Sequence, residues 1–155
     1  MKDQDEPTPL YNIDPIILKD HYEIDYIHSY AQDSPFFAGL AKGKLLGSQC
    51  TKCRYTYATP RFYCMQCGSK TDWIELPQQG QVHTFTTCYY GGEAFLGETP
   101  FTLILVEFEG VNTLFLSRLK GVEPQEVRIG MPVKAQFVKR PKFKVTDVYF
   151  APLNN

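Results

Sequence analysis

Four cysteines stand in two pairs in the middle of the 155-residue chain and limit how this region can fold. Cys50 and Cys53 form the first pair and Cys64 and Cys67 the second, each with two intervening residues. Two intervening residues let one tight turn present both thiolates to one ion, and two such turns complete a closed tetrahedral site. Paired short spacings are typical of zinc sites. The pattern therefore predicts one structural zinc ion held by all four cysteines.

Two other uses of the cysteines stay open at this level. A rubredoxin-like iron site uses the same four thiolates, and ligand spacing alone does not distinguish iron from zinc. Two disulfides are the other use, but disulfides are rare in the cytosol. The sequence shows no signal-peptide core at its polar N-terminus and no apolar run long enough to cross a membrane. We therefore expect a cytoplasmic protein with reduced thiols and no membrane association.

The first third of the chain predicts a tail and two helices. Residues 1–12 contain two prolines and many charges and are expected to be a mobile tail. Residues 13–43 are predicted to form a helical hairpin. Its first helix follows from isoleucines and tyrosines at roughly helical spacing over 13–33, and Ser34-Pro35 begins the second.

The remainder predicts two β units, so the fold class is mainly β with N-terminal helices. Residues 44–79 alternate aromatic and β-branched residues around the cysteine pairs, as expected for a rubredoxin-like zinc ribbon. Residues 80–155 then predict a five-stranded OB-fold barrel, because the strands are short and no crossover helix separates them. The predicted strands are 81–87, 101–108, 113–117, 133–139 and 144–150.

Charge separates two classes of function. Zinc ribbons and OB barrels both occur in nucleic-acid-binding modules, where aromatic side chains stack on bases. The formal net charge of this chain is −1, and the first 49 residues carry four lysines against eight acidic residues. A groove that follows a phosphate backbone needs more excess positive charge. A nucleic-acid-binding module is therefore the alternative function, and nucleic acid is not the expected partner.

The order of helix, ribbon and barrel resembles the DUF35 family of acyl-CoA-associated zinc-ribbon/OB-fold proteins. The resemblance rests on Phe36-Phe37-Ala38-Gly39-Leu40 before the first cysteine pair and on the four cysteines themselves. It also rests on Pro60-Arg61 between the two pairs and on Trp73 and Gly80 after the second pair. Two positions depart from the family pattern: Thr59 replaces a proline before Pro60-Arg61, and Met65 stands where a proline commonly follows the third cysteine. Neither departure removes a metal ligand.

The resemblance implies an accessory role. Proteins of this family are typically non-catalytic partners of thiolase-superfamily enzymes that act on acetoacetyl-CoA and hydroxymethylglutaryl-CoA, on steroid side chains or on benzoylsuccinyl-CoA. The thiolase-like protein holds the catalytic residues, and acyl-CoA binds at a shared site. We therefore expect no catalytic residue and no enzyme activity in this chain by itself, and a place in an acyl-CoA thiolase or acyltransferase complex.

Two surfaces are candidates for contacts in such a complex. The apolar residues Phe36, Phe37 and Leu40 predict a helix face for a protein partner, or else a face packed inside the chain. The basic residues are candidates for the CoA phosphates, or else for a solvated barrel edge that resists unwanted strand pairing. They are Arg118, Lys120, Lys139, Arg140, Lys142 and Lys144.

Overall fold

The computed structural model describes residue 18 and residues 20–153, and these residues form one α-helix and eight strands. The elements are α1 (Ser34–Ala41), β1 (Leu46–Cys50), β2 (Thr56–Tyr57), β3 (Thr71–Glu75), β4 (Gln79–Cys88), β5 (Phe101–Glu107), β6 (Phe115–Leu119), β7 (Pro132–Phe137) and β8 (Val148–Pro152). The first three strands form one sheet and the other five a closed barrel. The predicted fold class, a four-cysteine ribbon followed by a five-stranded OB-fold barrel, is confirmed.

The ribbon sheet is antiparallel and has β1 at its centre, in the order β2-β1-β3. Ser48 on β1 pairs with Tyr57 on one side and with Trp73 on the other. A Cβ atom on the preceding residue, Gly47, would lie 2.4 Å from the carbonyl oxygen of Tyr57. The close approach of β1 to β2 therefore requires glycine at this position.

The barrel closes in the order β4-β5-β6-β8-β7, and β4 joins its two ends. Residues 79–81 of β4 pair with β7, and residues 81–88 pair with β5 with a register shift between Val82 and Thr84. Such a bulge bends a strand and increases its twist, which lets one long strand serve both neighbours. The inward side chains of Val82, Val106 and Phe150 are fully buried in the barrel core.

The last strand begins later than the sequence predicts. Val145–Asp147 forms a 3-10 turn, and β8 covers Val148–Pro152. The buried carboxylate of Asp147 explains the difference, because it accepts the backbone N–H groups of Lys142 at 2.8 Å and Lys144 at 3.1 Å. These hydrogen bonds favour a turn over an extended strand.

Helix α1 packs inside the molecule, so Phe36, Phe37 and Leu40 follow the second of their two expected roles, a face packed inside the chain, and do not form an exposed face for a partner. The three side chains are only 6%, 8% and 2% exposed and belong to the main core. The ring of Phe36 lies 6.4 Å from the ring of Phe115 on β6, between ring centroids. The helix covers apolar residues that the ribbon and barrel cannot cover themselves, and burial of that area stabilises the fold.

The predicted helical hairpin is wrong over the residues that the structure describes. Residues 20–30 form no helix, and a 3-10 turn at Ala31–Asp33 leads directly into α1. Ile24 and Ile27 are 65% and 103% exposed, so no tertiary surface supports a helix here. Helices in proteins draw most of their stability from such packing. The predicted mobile tail, residues 1–12, and the start of the predicted hairpin, residues 13–17, lie outside the described residues.

The loop between β5 and β6 attaches the barrel to the ribbon. The backbone N–H of Thr56 donates to Oδ1 of Asn112 at 2.8 Å, and the N–H of Asn112 donates back to the carbonyl of Thr56 at 3.0 Å. The N–H of Ala58 donates to the Thr113 hydroxyl at 2.8 Å. These bonds satisfy the outer edge of β2, so the barrel loop continues the ribbon sheet.

Gly80 offers a test of the barrel closure. A Cβ atom here would lie 2.5 Å from the carbonyl oxygen of Glu107, so we expect Gly80→Ala to lower the free energy of unfolding by about 1–3 kcal/mol. Gly97→Ala is the matched control, because no atom lies within 4 Å of its added Cβ. Urea denaturation measures both variants. Equal midpoints for Gly80→Ala and the unchanged protein would contradict this account of the β4–β5 contact.

Candidate metal centre

The ribbon brings all four predicted cysteines together. Their sulfur atoms lie within 4.8 Å of one another, and the distances from Cys50 to Cys67 and from Cys53 to Cys64 are both 3.5 Å. A tetrahedral site with metal–sulfur bonds of about 2.3 Å has sulfur–sulfur edges of about 3.8 Å. The four thiols are therefore positioned to bind one metal ion. Cys50 and Cys64 are buried, and Cys53 and Cys67 are exposed.

Two similar turns produce this arrangement. In the first turn the N–H of Arg54 donates to the carbonyl of Cys50 at 3.2 Å, and in the second the N–H of Gly68 donates to the carbonyl of Cys64 at 2.9 Å. Both turns end in the left-handed region, with φ of 63° at Arg54 and 71° at Gly68. The sequence indicates this conformation only at Gly68, because an arginine carries no signal for a positive φ.

Backbone amides surround the buried sulfurs. The N–H groups of Lys52 and Cys53 lie 3.4 Å from Sγ of Cys50, and the N–H of Gln66 lies 3.4 Å from Sγ of Cys64. Hydrogen bonds to a charged group favour its charged form. The turns therefore supply both the position of the sulfurs and part of the stabilisation of their thiolates.

Tyr57 is a contact of the cluster that sequence reasoning missed. Its side chain is 2% exposed, and its oxygen accepts the N–H of Met65 at 2.8 Å. The hydroxyl hydrogen is then available to Sγ of Cys64 at 3.4 Å. Tyr55 packs against the same cluster from outside. The alternation of Tyr55 and Tyr57 predicts a strand, but nothing in it indicates which ring reaches a ligand.

These hydrogen bonds change the acidity of the second cysteine pair. The Tyr57 hydroxyl and, to a smaller extent, the N–H of Gln66 lower the pKa of Cys64 to about 6, despite opposing desolvation. The same contact raises the pKa of Tyr57, which keeps its proton on the phenol oxygen. Backbone and side-chain hydrogen bonds from Ser69 lower the pKa of Cys67. The second pair is thus prepared to lose its protons, as metal ligation requires.

The structure divides the predicted basic residues into two groups. Arg118 and Lys120 line the same two cavities, of about 630 and 390 Å³, on the barrel surface. The Arg118 guanidinium pairs with Glu98 and lies 4.4 Å from the ring centroid of Phe101, and Lys120 Nζ lies 4.8 Å from that of Tyr149. The other four are exposed and stand together on the turn that Asp147 holds between β7 and β8. They are Lys139, Arg140, Lys142 and Lys144.

We expect Tyr57→Phe to weaken metal binding by about 10- to 100-fold, the usual effect of losing a partner of a metal ligand. The change removes the donor to Cys64 and leaves the N–H of Met65 without its acceptor. Competition with a chromophoric chelator measures the metal affinity. Tyr55→Phe is the matched control, because its hydroxyl contacts the carbonyl of Asn112 and no sulfur. An equal loss in both variants would argue against a specific role for the Tyr57 hydroxyl.

Comparisons with known proteins cover both lobes. The family model for the rubredoxin-like zinc ribbon domain of ChsH2 matches residues 37–72, and that for the ChsH2 C-terminal OB-fold domain matches residues 73–138. A probable enoyl-CoA hydratase alpha subunit from Thermomonospora curvata is 33% identical over 106 residues, which is 66% of this chain and 32% of that protein. The chain thus spans about a third of the length of this curated relative.

Two solved structures have the same fold. The Ltp2-ChsH2(DUF35) aldolase contains a chain that is 26% identical, with a TM-score of 0.66 over 77% of this chain and 93% of its own. A DUF35 protein of unknown function from Sulfolobus solfataricus is 24% identical, with a TM-score of 0.57 over 76% of this chain and 82% of its own.

In the part of the chain that the structure describes, no helix is long and apolar enough to cross a membrane. The protein belongs to the DUF35 family of zinc-ribbon and OB-fold proteins, which includes ChsH2.

Proposed function

We propose that this chain is a non-catalytic accessory subunit of a thiolase-superfamily complex that acts on acyl-CoA. The observation that carries the proposal is the similarity to the ChsH2 chain of the Ltp2-ChsH2 aldolase, which includes 93% of that chain. The curated relative is named as an enoyl-CoA hydratase subunit, which supports acyl-CoA as the substrate class. Because this chain spans a third of that relative, hydratase activity is not part of the proposal.

The metal centre supports the non-catalytic part of the proposal. Four thiolates around one ion leave no position for a substrate or an activated water, which is the arrangement of structural sites. We propose that the ion is zinc, because a closed four-thiolate tetrahedron suits zinc and needs no redox chemistry. In this role the ion orders the ribbon, and the chemistry belongs to the thiolase-like protein.

We also propose that the six basic residues assist in holding CoA at a site shared with that protein. Phosphate groups favour charge-assisted hydrogen bonds from arginine and lysine. The cavities beside Arg118 and Lys120 combine these cations with the aromatic rings of Phe101 and Tyr149, which suits a ligand with both phosphates and a ring. Arg118 already pairs with Glu98, so Lys120 is the more available of the two.

Lys120→Gln tests this contact. If Lys120 binds a CoA phosphate, the change should weaken CoA binding to the purified complex about tenfold, because it removes one charge-assisted hydrogen bond. Lys134→Gln is the matched control, since Lys134 is exposed on β7 and lines neither cavity. Isothermal titration calorimetry with CoA provides the dissociation constants. If both variants bind CoA as the unchanged complex does, the phosphates lie elsewhere.

Native mass spectrometry of the tagged chain, purified gently from its own host, tests the function itself. The expected result is a stoichiometric complex with a thiolase-like protein and one zinc mass for each copy of this chain. A chain that carries zinc but no such protein would contradict the proposal. Co-purified nucleic acid in place of a protein would instead favour the nucleic-acid-binding alternative.

A further inference from the structure

Residues 20–30, the acidic–aromatic segment, leave large apolar side chains in solvent. Tyr22, Ile24, Tyr26 and Ile27 are 82%, 65%, 80% and 103% exposed. No backbone–backbone hydrogen bond joins residues 20–28 to another described residue. Isolated exposed apolar residues are ordinary, but several in a row are typical of an interaction site. The segment therefore has both side chains and backbone groups available for a binding partner.

The order of its residues matches a strand. Tyr22, Ile24 and Tyr26 alternate with Glu23 and Asp25. In an extended chain successive side chains point to opposite faces, so over residues 22–26 one face is apolar and the other acidic, and Ile27 follows on the acidic face. Tyrosine and isoleucine are also among the residues that favour strands. An extended segment with free N–H and C=O groups can add to the edge of a sheet in another protein.

The segment leaves the molecule from a fixed point. The ring of Tyr30 stacks on the buried ring of Phe37 with 3.7 Å between centroids, and the N–H of Asp33 donates to the carbonyl of Tyr30 at 2.9 Å. From this anchor, residues 20–28 reach about 30 Å when fully extended, at about 3.3 Å for each residue. One end is thus held beside the core while the other can lie along a second protein.

A second copy of this chain is a poor acceptor for the segment. Its barrel is closed in the order β4-β5-β6-β8-β7, with β6 and β8 paired at Leu119 and Phe150, and the outer edge of β2 is already paired with the loop at Asn112. The other edge of the ribbon sheet is β3, which carries Asp72 and Glu75. The segment carries three acidic residues and no lysine or arginine, so the two strands would repel. Charge and topology both favour a different protein with a basic surface.

We propose that the acidic–aromatic segment docks as an added β-strand on a free sheet edge of the thiolase-like subunit, bordered there by lysine or arginine. Tyr22, Ile24 and Tyr26 enter apolar pockets, and Glu23 and Asp25 face the basic border. This inference rests on the proposed function. The apolar residues supply most of the affinity, because buried aromatic anchors dominate such interfaces, and the acidic residues mainly direct association.

Two double variants separate the faces. Ile24→Ser with Tyr26→Ser removes apolar contacts, and should weaken binding of the purified thiolase-like subunit about 100-fold if each residue is worth a factor of about ten. Glu23→Ser with Asp25→Ser is the matched control, and should weaken binding less while reducing its dependence on salt. Neither variant should lower the melting temperature, because these side chains are exposed in the free chain. Hydrogen–deuterium exchange of residues 20–28 should slow in the complex.

The outcomes distinguish the two proposals. If the unchanged chain binds the thiolase-like subunit but Ile24→Ser with Tyr26→Ser binds equally well, the docking inference is wrong and the proposed function stands. Unchanged exchange at residues 20–28 in the complex has the same meaning. If the unchanged chain binds no such subunit, the proposed function fails and the inference fails with it. Self-association through the segment would also overturn the inference, since it names a different chain as the acceptor.

Discussion

The convergence of four cysteine sulfurs is the constraint on which the ribbon depends. The buried cluster around it contains only Cys50, Tyr57 and Cys64, with Tyr55 partly buried beside them. So small a core cannot offset the entropy of ordering two turns and three short strands. Each strand also begins or ends near a cysteine. A bound metal ion would fix these ends together, and its binding energy would then contribute to folding.

The ribbon is not an independent unit, because its edge strand is completed by the barrel. Asn112 takes the place of a neighbouring strand. Its side-chain oxygen accepts the backbone N–H of Thr56, and its own N–H donates to the backbone carbonyl of Thr56. Thr56 is 2% exposed, so water cannot replace these bonds, and leaving a buried N–H unpaired is costly. Helix α1 adds an apolar contact through Phe36 and Phe115. The cysteine cluster is therefore held in a fixed position relative to the barrel.

This construction determines which surfaces are left for other molecules. The apolar face of α1 is buried in the core of the chain. A protein partner would therefore contact a different surface of this chain. The described residues offer two surfaces of opposite charge: the basic turn between β7 and β8, and the acidic–aromatic segment before α1. Opposite charges on separate surfaces suit a subunit that contacts an anionic ligand with one and a basic protein with the other.

The sequence by itself determined the four-cysteine cluster, the glycine turn at Gly68 and the order of ribbon and barrel. These features depend on residues that are close in the chain, where spacing and alternation directly report a turn or a strand. Four of the five barrel strands were predicted within two residues at either end, and the exception is β8, which was predicted from residue 144 and begins at Val148.

Only the tertiary structure decided the burial of α1, the Tyr57–Cys64 contact and the Asn112 bridge. The two atoms of the Asn112 bridge belong to residues 56 positions apart, and no local pattern encodes such a contact. The same reason explains the wrong helix at residues 20–30: its spacing fits a helix, but no surface of the folded chain is there to bury it. The late start of β8 likewise follows from the burial of Asp147, a property that sequence alternation does not report.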